Sequence, residues 1–198
     1  QDTIYALTKD PGDVTIPSTI QDVIMARVDA LPEGAKEVLQ MGSVIEREFS
    51  YELIQKVTRL SEKKLLAQLS ALKEAELLYE RGVYPNITYI FKHALTREVN
   101  YDSILTRRCK EIHKAVAEAM EQTCQLNLEA HLSTLCGHFM AGENYEKGQI
   151  YAKLAARKAQ KAGTMSEAID QTQKRITCLG KLPLTDEDQK KMIDARTV

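Results

Sequence analysis

The chain has 198 residues, with 27 basic against 28 acidic side chains. That length can bury a real core and hold one large or two small domains, while the balanced charge argues against a global field for nucleic acid or an anionic membrane. No apolar run approaches the ~18 residues of a membrane span, no signal-peptide pattern opens the chain, and four scattered cysteines without a CxxC indicate a reducing, cytoplasmic setting.

Asp10-Pro11-Gly12-Asp13 is a turn signal in a stretch of little periodicity, so residues 1–16 read as a linker. A first helix is expected from Pro17, which loses no needed donor in a first turn, with Ser18 and Gln21 as a capping box. Ile20, Val23, Ile24, Val28 and Leu31 recur at helical spacing and predict one buried stripe. Leu31-Pro32-Glu33-Gly34 ends it. A second helix follows from about Glu33 to Ile45 with Ala35, Val38, Leu39 and Val44 inward, and a third over Ser50 to Val57 with Ser50 as cap. Ser61 caps a fourth, whose Leu65, Leu66, Leu69 and Leu72 form its apolar face.

After Glu76 the period changes to two. Leu77 to Arg81 and Ile87 to Phe91 flank Gly82-Val83-Tyr84-Pro85-Asn86, which predicts a β-hairpin. Three helices and a hairpin are the order of a winged helix. The hairpin runs directly into another helix, with His93 at the junction, where unpaired backbone N–H groups favour anions.

From His93 onward the pattern is helical. Leu95, Val99, Ile104 and Leu105 form one stripe, and Ile112, Val116, Ala119 and Met120 the next. Asn127 is expected to cap a helix through Phe139, Ala141-Gly142 to end it, and Tyr145 to Ala162 to form an alanine-rich helix. Thr164 and Glu167 form a capping box into a helix reaching Leu179, and Thr185 with Asp188 opens a last one. The Ala-Gly ends at Gly142 and Gly163 suggest tetratricopeptide-like packing, at a spacing shorter than the regular ~34-residue repeat. The expected fold is therefore mainly α. Residues 17–105 form a helical linker plus a winged-helix domain with one small hairpin, and 106–198 begin an antiparallel helical, tetratricopeptide-like array. Gln1 in place of methionine, and no structural stop at Val198, lead to the expectation of a fragment of a longer protein.

The nine glycines are isolated, and no phosphate loop, nucleophile elbow or HExxH is present, so catalysis is not expected from this chain. Cys109 and His113 at i,i+4, with His131 and His138 further on, fall short of a metal site, because zinc takes four ligands at fixed spacing. A DNA-binding reading would make 61–76 the recognition helix, with Lys63, Lys64 and Lys73 on phosphate. Glu62, Glu74 and Glu76 cancel that charge, and the wing loop carries no basic residue. The more basic helices between Lys147 and Arg175 read as a solvated face, with docking to an acidic partner as the sharper alternative.

Three segments carry a family resemblance. They are Ile16 to Pro32, Val44-Ile45-Glu46-Arg47-Glu48-Phe49, and Phe91-Lys92-His93-Ala94-Leu95-Thr96-Arg97-Glu98-Val99-Asn100-Tyr101, followed by Arg107-Arg108-Cys109-Lys110-Glu111-Ile112-His113. In this order they resemble the region after the nucleotide-binding domain of bacterial STAND ATPases, which are fused to class III adenylate cyclase, LuxR-type or kinase domains. The resemblance covers about residues 16–180. It implies an upstream ATPase domain as partner in the same chain, a winged helix packed on that domain's nucleotide, and a helical array that meets a protein partner. ATP or ADP is implied for the full-length protein and no cofactor for this portion. His93 matches the histidine of the family's MHD motif, which contacts ADP, while Lys92 and Ala94 replace its methionine and aspartate. Arg97 and Arg107 are supporting candidates, equally explained as surface ion-pair residues. The rivals are a DNA-binding regulator and a helical scaffold with no nucleotide link.

Overall fold

The computed structural model describes residues 18–83 and 86–183. The predicted linker, Pro17 with the side-chain cap at Ser18, Tyr84 and Pro85 of the hairpin tip, and the helix opened by Thr185 lie outside the described residues. Among those described, nine α-helices and one three-stranded antiparallel sheet make the chain mainly helical. No helix among them is long and apolar enough to cross a membrane.

Helix α1 (Ser18–Asp29) is followed by α2 (Glu33–Ile45). Pro32 starts α2 with its fixed φ of −56°, and its carbonyl accepts from the amides of Ala35 and Lys36. Ala35, Val38, Leu39 and Val44 face the core as their spacing predicts. The stripe of α1 is buried only at its end: Val28 and Leu31 are covered, but Ile20 and Val23 stand exposed. Helical spacing places residues on one face; whether that face is covered depends on what packs there.

The sheet departs most from expectation. The predicted hairpin forms as β2 (Leu78–Arg81) and β3 (Thr88–Phe91), but β3 is central and a third strand, β1 (Glu48–Ser50), lies on its other side. Phe49 sits opposite Tyr89, and its ring lies 6.1 Å from those of both Tyr89 and Phe91. A three-residue strand with one apolar side chain has no readable period, so only its partner across the ladder defines it. Gly42 on α2 makes room for it: a Cβ there would lie 2.7 Å from the Phe49 ring. Gly82 (φ +96°) makes the hairpin turn that other residues resist.

Between the strands lie α3 (Tyr51–Thr58) and α4 (Glu62–Glu74). Ser50 caps α3 as predicted, accepting from the Leu53 amide at 3.2 Å. Ser61 occupies the corresponding position before α4 without a side-chain bond. Leu65, Leu69 and Leu72 are fully buried, each worth about 1.5–3 kcal/mol of transfer free energy, whereas Leu66 is partly exposed.

Helix α5 (Ala94–Asp102) leads into α6 (Thr106–Thr123), α7 (Leu132–Ala141), α8 (Tyr145–Lys161) and α9 (Met165–Leu179). Leu105, expected inward, precedes α6 in extended conformation and is 80% exposed. The helix expected from Asn127 begins later. Residues Gln125–His131 form a 3-10 turn broken at Asn127, and α7 starts at Leu132. Thr164 makes no cap bond either: its hydroxyl lies within reach of the Ala159 carbonyl and the Glu167 carboxylate. Instead Asn144 caps α8, accepting from the Lys147 amide at 3.2 Å. Helix α7 packs on α8 and α8 on α9, and the three-residue connections fold each helix back on the last. Gly148, Ala152, Ala155 and Ala159 on the buried side of α8 permit that close approach.

Candidate functional site

The three sequence-selected residues do not converge. His93 holds the N-cap position of α5 in extended backbone (φ −131°, ψ 137°), and its carbonyl accepts from the Thr96 amide. Its side chain is exposed and makes no capping bond. Beside it Lys92 pairs with Glu76 at 3.2 Å. Arg107 lies out on α6, 93% exposed, in an i,i+4 pair with Glu111. That is a surface pair of small energetic weight. Of the lysines a DNA-binding reading needs, Lys63 and Lys64 are exposed, but Lys73 is paired with Glu80 at 2.7 Å.

Arg97 does something different. One turn after His93, it turns inward, and its Nε donates to the carbonyl of Ser43 at 3.0 Å. Ser43 is fully buried in the last turn of α2, where carbonyls lack helical partners and the helix dipole favours a cation. Arg97 therefore caps α2 from α5. Its guanidinium also lies 6.0 Å from the centre of the Tyr101 ring, one turn further along α5.

Tyr101 begins a chain of polar contacts that sequence reading did not assemble. Its hydroxyl lies 3.0 Å from His113 Nε2 on α6, and His113 Nδ1 lies 2.8 Å from His138 Nδ1 on α7. Two neutral arrangements satisfy this chain. In one, Tyr101 donates to His113, which donates to His138; in the other, His138 donates to His113, which donates to Tyr101. Both imidazoles are buried. Burial first, then the Arg97 charge, lowers the His113 pKa. Burial, then His113 and Arg97, pushes His138 down to about 4. The pair is neutral at pH 7. Burial and the neighbouring Cys109 thiol raise the Tyr101 pKa.

These groups border a cavity of about 340 Å3 between α2, α5, α6 and α7, walled by Glu46, Arg97, His113, Thr134, Gly137 and His138. A second cavity, about 320 Å3, shares Ile45, Glu46 and Thr134 and extends toward Phe49, Cys124 and His131. Of the residues considered for a metal, His113 and His138 meet, Cys109 lies on the Tyr101 side, and His131 borders the second cavity. Among the described residues no group of three or more such side chains could hold a metal ion. Cys136 and Cys178 are buried thiols pushed up to about 12 and about 11 by burial, so neither is a thiolate near neutrality.

The Cys109–His113 spacing marked the right turn of α6. Nothing in the spacing of His113 and His138 showed that α6 and α7 would press them together. Comparison with known proteins finds no family model, no curated protein and no solved structure that matches the chain.

Proposed function

We propose that this chain is a non-catalytic regulatory and interaction portion of a nucleotide-switched signalling ATPase of the STAND type. It couples the state of an upstream ATPase domain to a partner-sensing helical array and an output domain, of which adenylate cyclase is one kind. The observation that carries this reading is His93. It stands exposed at the start of a helix, without a capping bond of its own, where a phosphate supplied by another domain would meet both the ring and the helix's first N–H groups.

The order α2, α3, α4 and then the β2–β3 hairpin supports the winged-helix reading, and β1 completes its small sheet. The stacking of α7, α8 and α9 through small residues supports the tetratricopeptide-like one. ADP would favour the docked arrangement and ATP, or a signal at the array, the released one, with His93 as the differential contact such a switch requires.

The test is ADP retention and output in the full-length parent, wild type against His93→Ala. Loss of retained ADP, or output without signal, supports the latch. Unchanged retention and output make His93 a surface residue and the chain a scaffold. Lys73, held by Glu80, speaks against a DNA-binding face on α4.

A further inference from the structure

The Arg97 cleft carries more than structural weight. Its guanidinium is fixed by one bond, Nε to the Ser43 carbonyl, and by the Tyr101 ring, while neither terminal nitrogen has a partner among the described residues. An arginine held this way has already lost most of its rotamer freedom and keeps two parallel donors to offer. It borders an open surface cleft of about 340 Å3. Around that cleft the Ser133 and Thr134 hydroxyls can donate to an oxygen acceptor, and so can His138 Nε2 in the arrangement where His138 accepts at Nδ1, whereas both nitrogens of His113 are already engaged.

Charge selects the occupant. A metal cation would meet the fixed positive charge of Arg97 and only two imidazoles, already spent on each other. An anion meets attraction from Arg97 and opposition from Glu46, which borders the same cavity without forming an ion pair to Arg97. Glu46 is exposed at the end of α2, where water screens it, whereas Arg97 is half-buried. The attraction wins.

We propose that this cleft binds a small oxyanion group, phosphate or carboxylate, gripped by the Arg97 fork with the Thr134 hydroxyl and His138 Nε2 completing the site. His93 does not border the cavity, and the proposal holds whether or not His93 meets a nucleotide.

The experiment is a titration of the full chain at pH 7 with inorganic phosphate and, separately, with acetate, at constant ionic strength. It follows the imidazole NMR signals of His113 and His138. A saturable shift is expected with at least one anion. Saturation by phosphate alone assigns a phosphate group, by acetate alone a carboxylate. Arg97→Gln should weaken binding at least about tenfold, the worth of roughly one charge-assisted hydrogen bond. Gly137→Leu provides a second test that leaves Arg97 in place, because Gly137 lines the cleft with open space at its Cβ and a leucine there is expected to crowd the entrance. Glu46→Gln should tighten binding several-fold. Shifts that fail to saturate through the millimolar range overturn the proposal, as does binding indifferent to Arg97→Gln and Gly137→Leu.

Discussion

His113 Nδ1 and His138 Nδ1 stand 2.8 Å apart, so α6 and α7 are joined by two imidazoles of which one must donate and the other accept. A second proton on the pair leaves two donors face to face, beside Arg97 and with only Glu46 of opposite charge bordering the cavity. The hydrogen bond between the two helices survives one added proton but not protonation of both rings.

Stability should therefore depend on pH in a defined window. The folded pKa of each histidine lies below its unfolded value near 6.5, so the unfolded chain binds more protons as acid is added. The contribution is complete above about pH 6.5 and is lost as pH falls toward about 4, amounting to roughly 3 kcal/mol for His138. Urea unfolding at pH 7.5, 5.5 and 4.5, wild type against His138→Asn, isolates this from carboxylate titration. Equal losses of stability for the two proteins between pH 7.5 and 4.5 would refute the account.

Arg97 and Arg107 should separate cleanly in stability. Arg97→Ala uncaps the buried Ser43 carbonyl and is expected to cost about 1–3 kcal/mol at pH 7, where the histidine pair is neutral and feels no repulsion from Arg97. Arg107→Ala breaks only an exposed pair and should stay within about 0.5 kcal/mol. Thermal melts of both variants decide it; equal losses would mean that Arg97 is not the cap described.

Gly42→Ala should destabilise by about 1–3 kcal/mol, because the new methyl would sit 2.7 Å from the Phe49 ring. Adding Phe49→Leu to that variant should recover part of the loss relative to the sum of the single changes. Strict additivity in chemical denaturation would show that the two positions do not meet.

Gly137→Ala should go the other way. It lies within α7, with open space where the methyl would point, and should stabilise by about 0.5–1 kcal/mol. A lowered melting temperature would contradict the open cavity wall.

His93→Ala is expected to leave stability unchanged within about 0.5 kcal/mol, since the side chain is exposed and caps nothing. A larger loss by calorimetry would make it a structural histidine and remove the ground for a nucleotide contact.

Much of the fold was legible because the relevant forces are local. Pro32 and Ser50 punctuate helices through backbone preference and side-chain reach, and the leucines of α4 repeat within one element. The change of period after Glu76 showed the hairpin for the same reason. Capping was less secure: Thr164 has the right chemistry, yet its hydroxyl turns back toward the preceding helix, while Asn144 took the equivalent role before α8. A short polar side chain has several nearby backbone partners, and small differences in loop geometry choose among them.

Chain-local chemistry thus determined where most helices start and stop, which faces are apolar, and that a histidine stands where a strand meets a helix. Folding decided what those features meet. Phe49 became a strand residue because β3 offered an edge and Gly42 left room for its ring. Ile20 and Leu105 remained exposed because nothing among the described residues covers them. Arg97 became a helix cap through a carbonyl more than fifty residues earlier in the chain, and His113 found His138 through the packing of α6 on α7. Backbone propensity acts over a few residues, whereas hydrogen bonding and burial between distant residues depend on a geometry that exists only once the helices have packed.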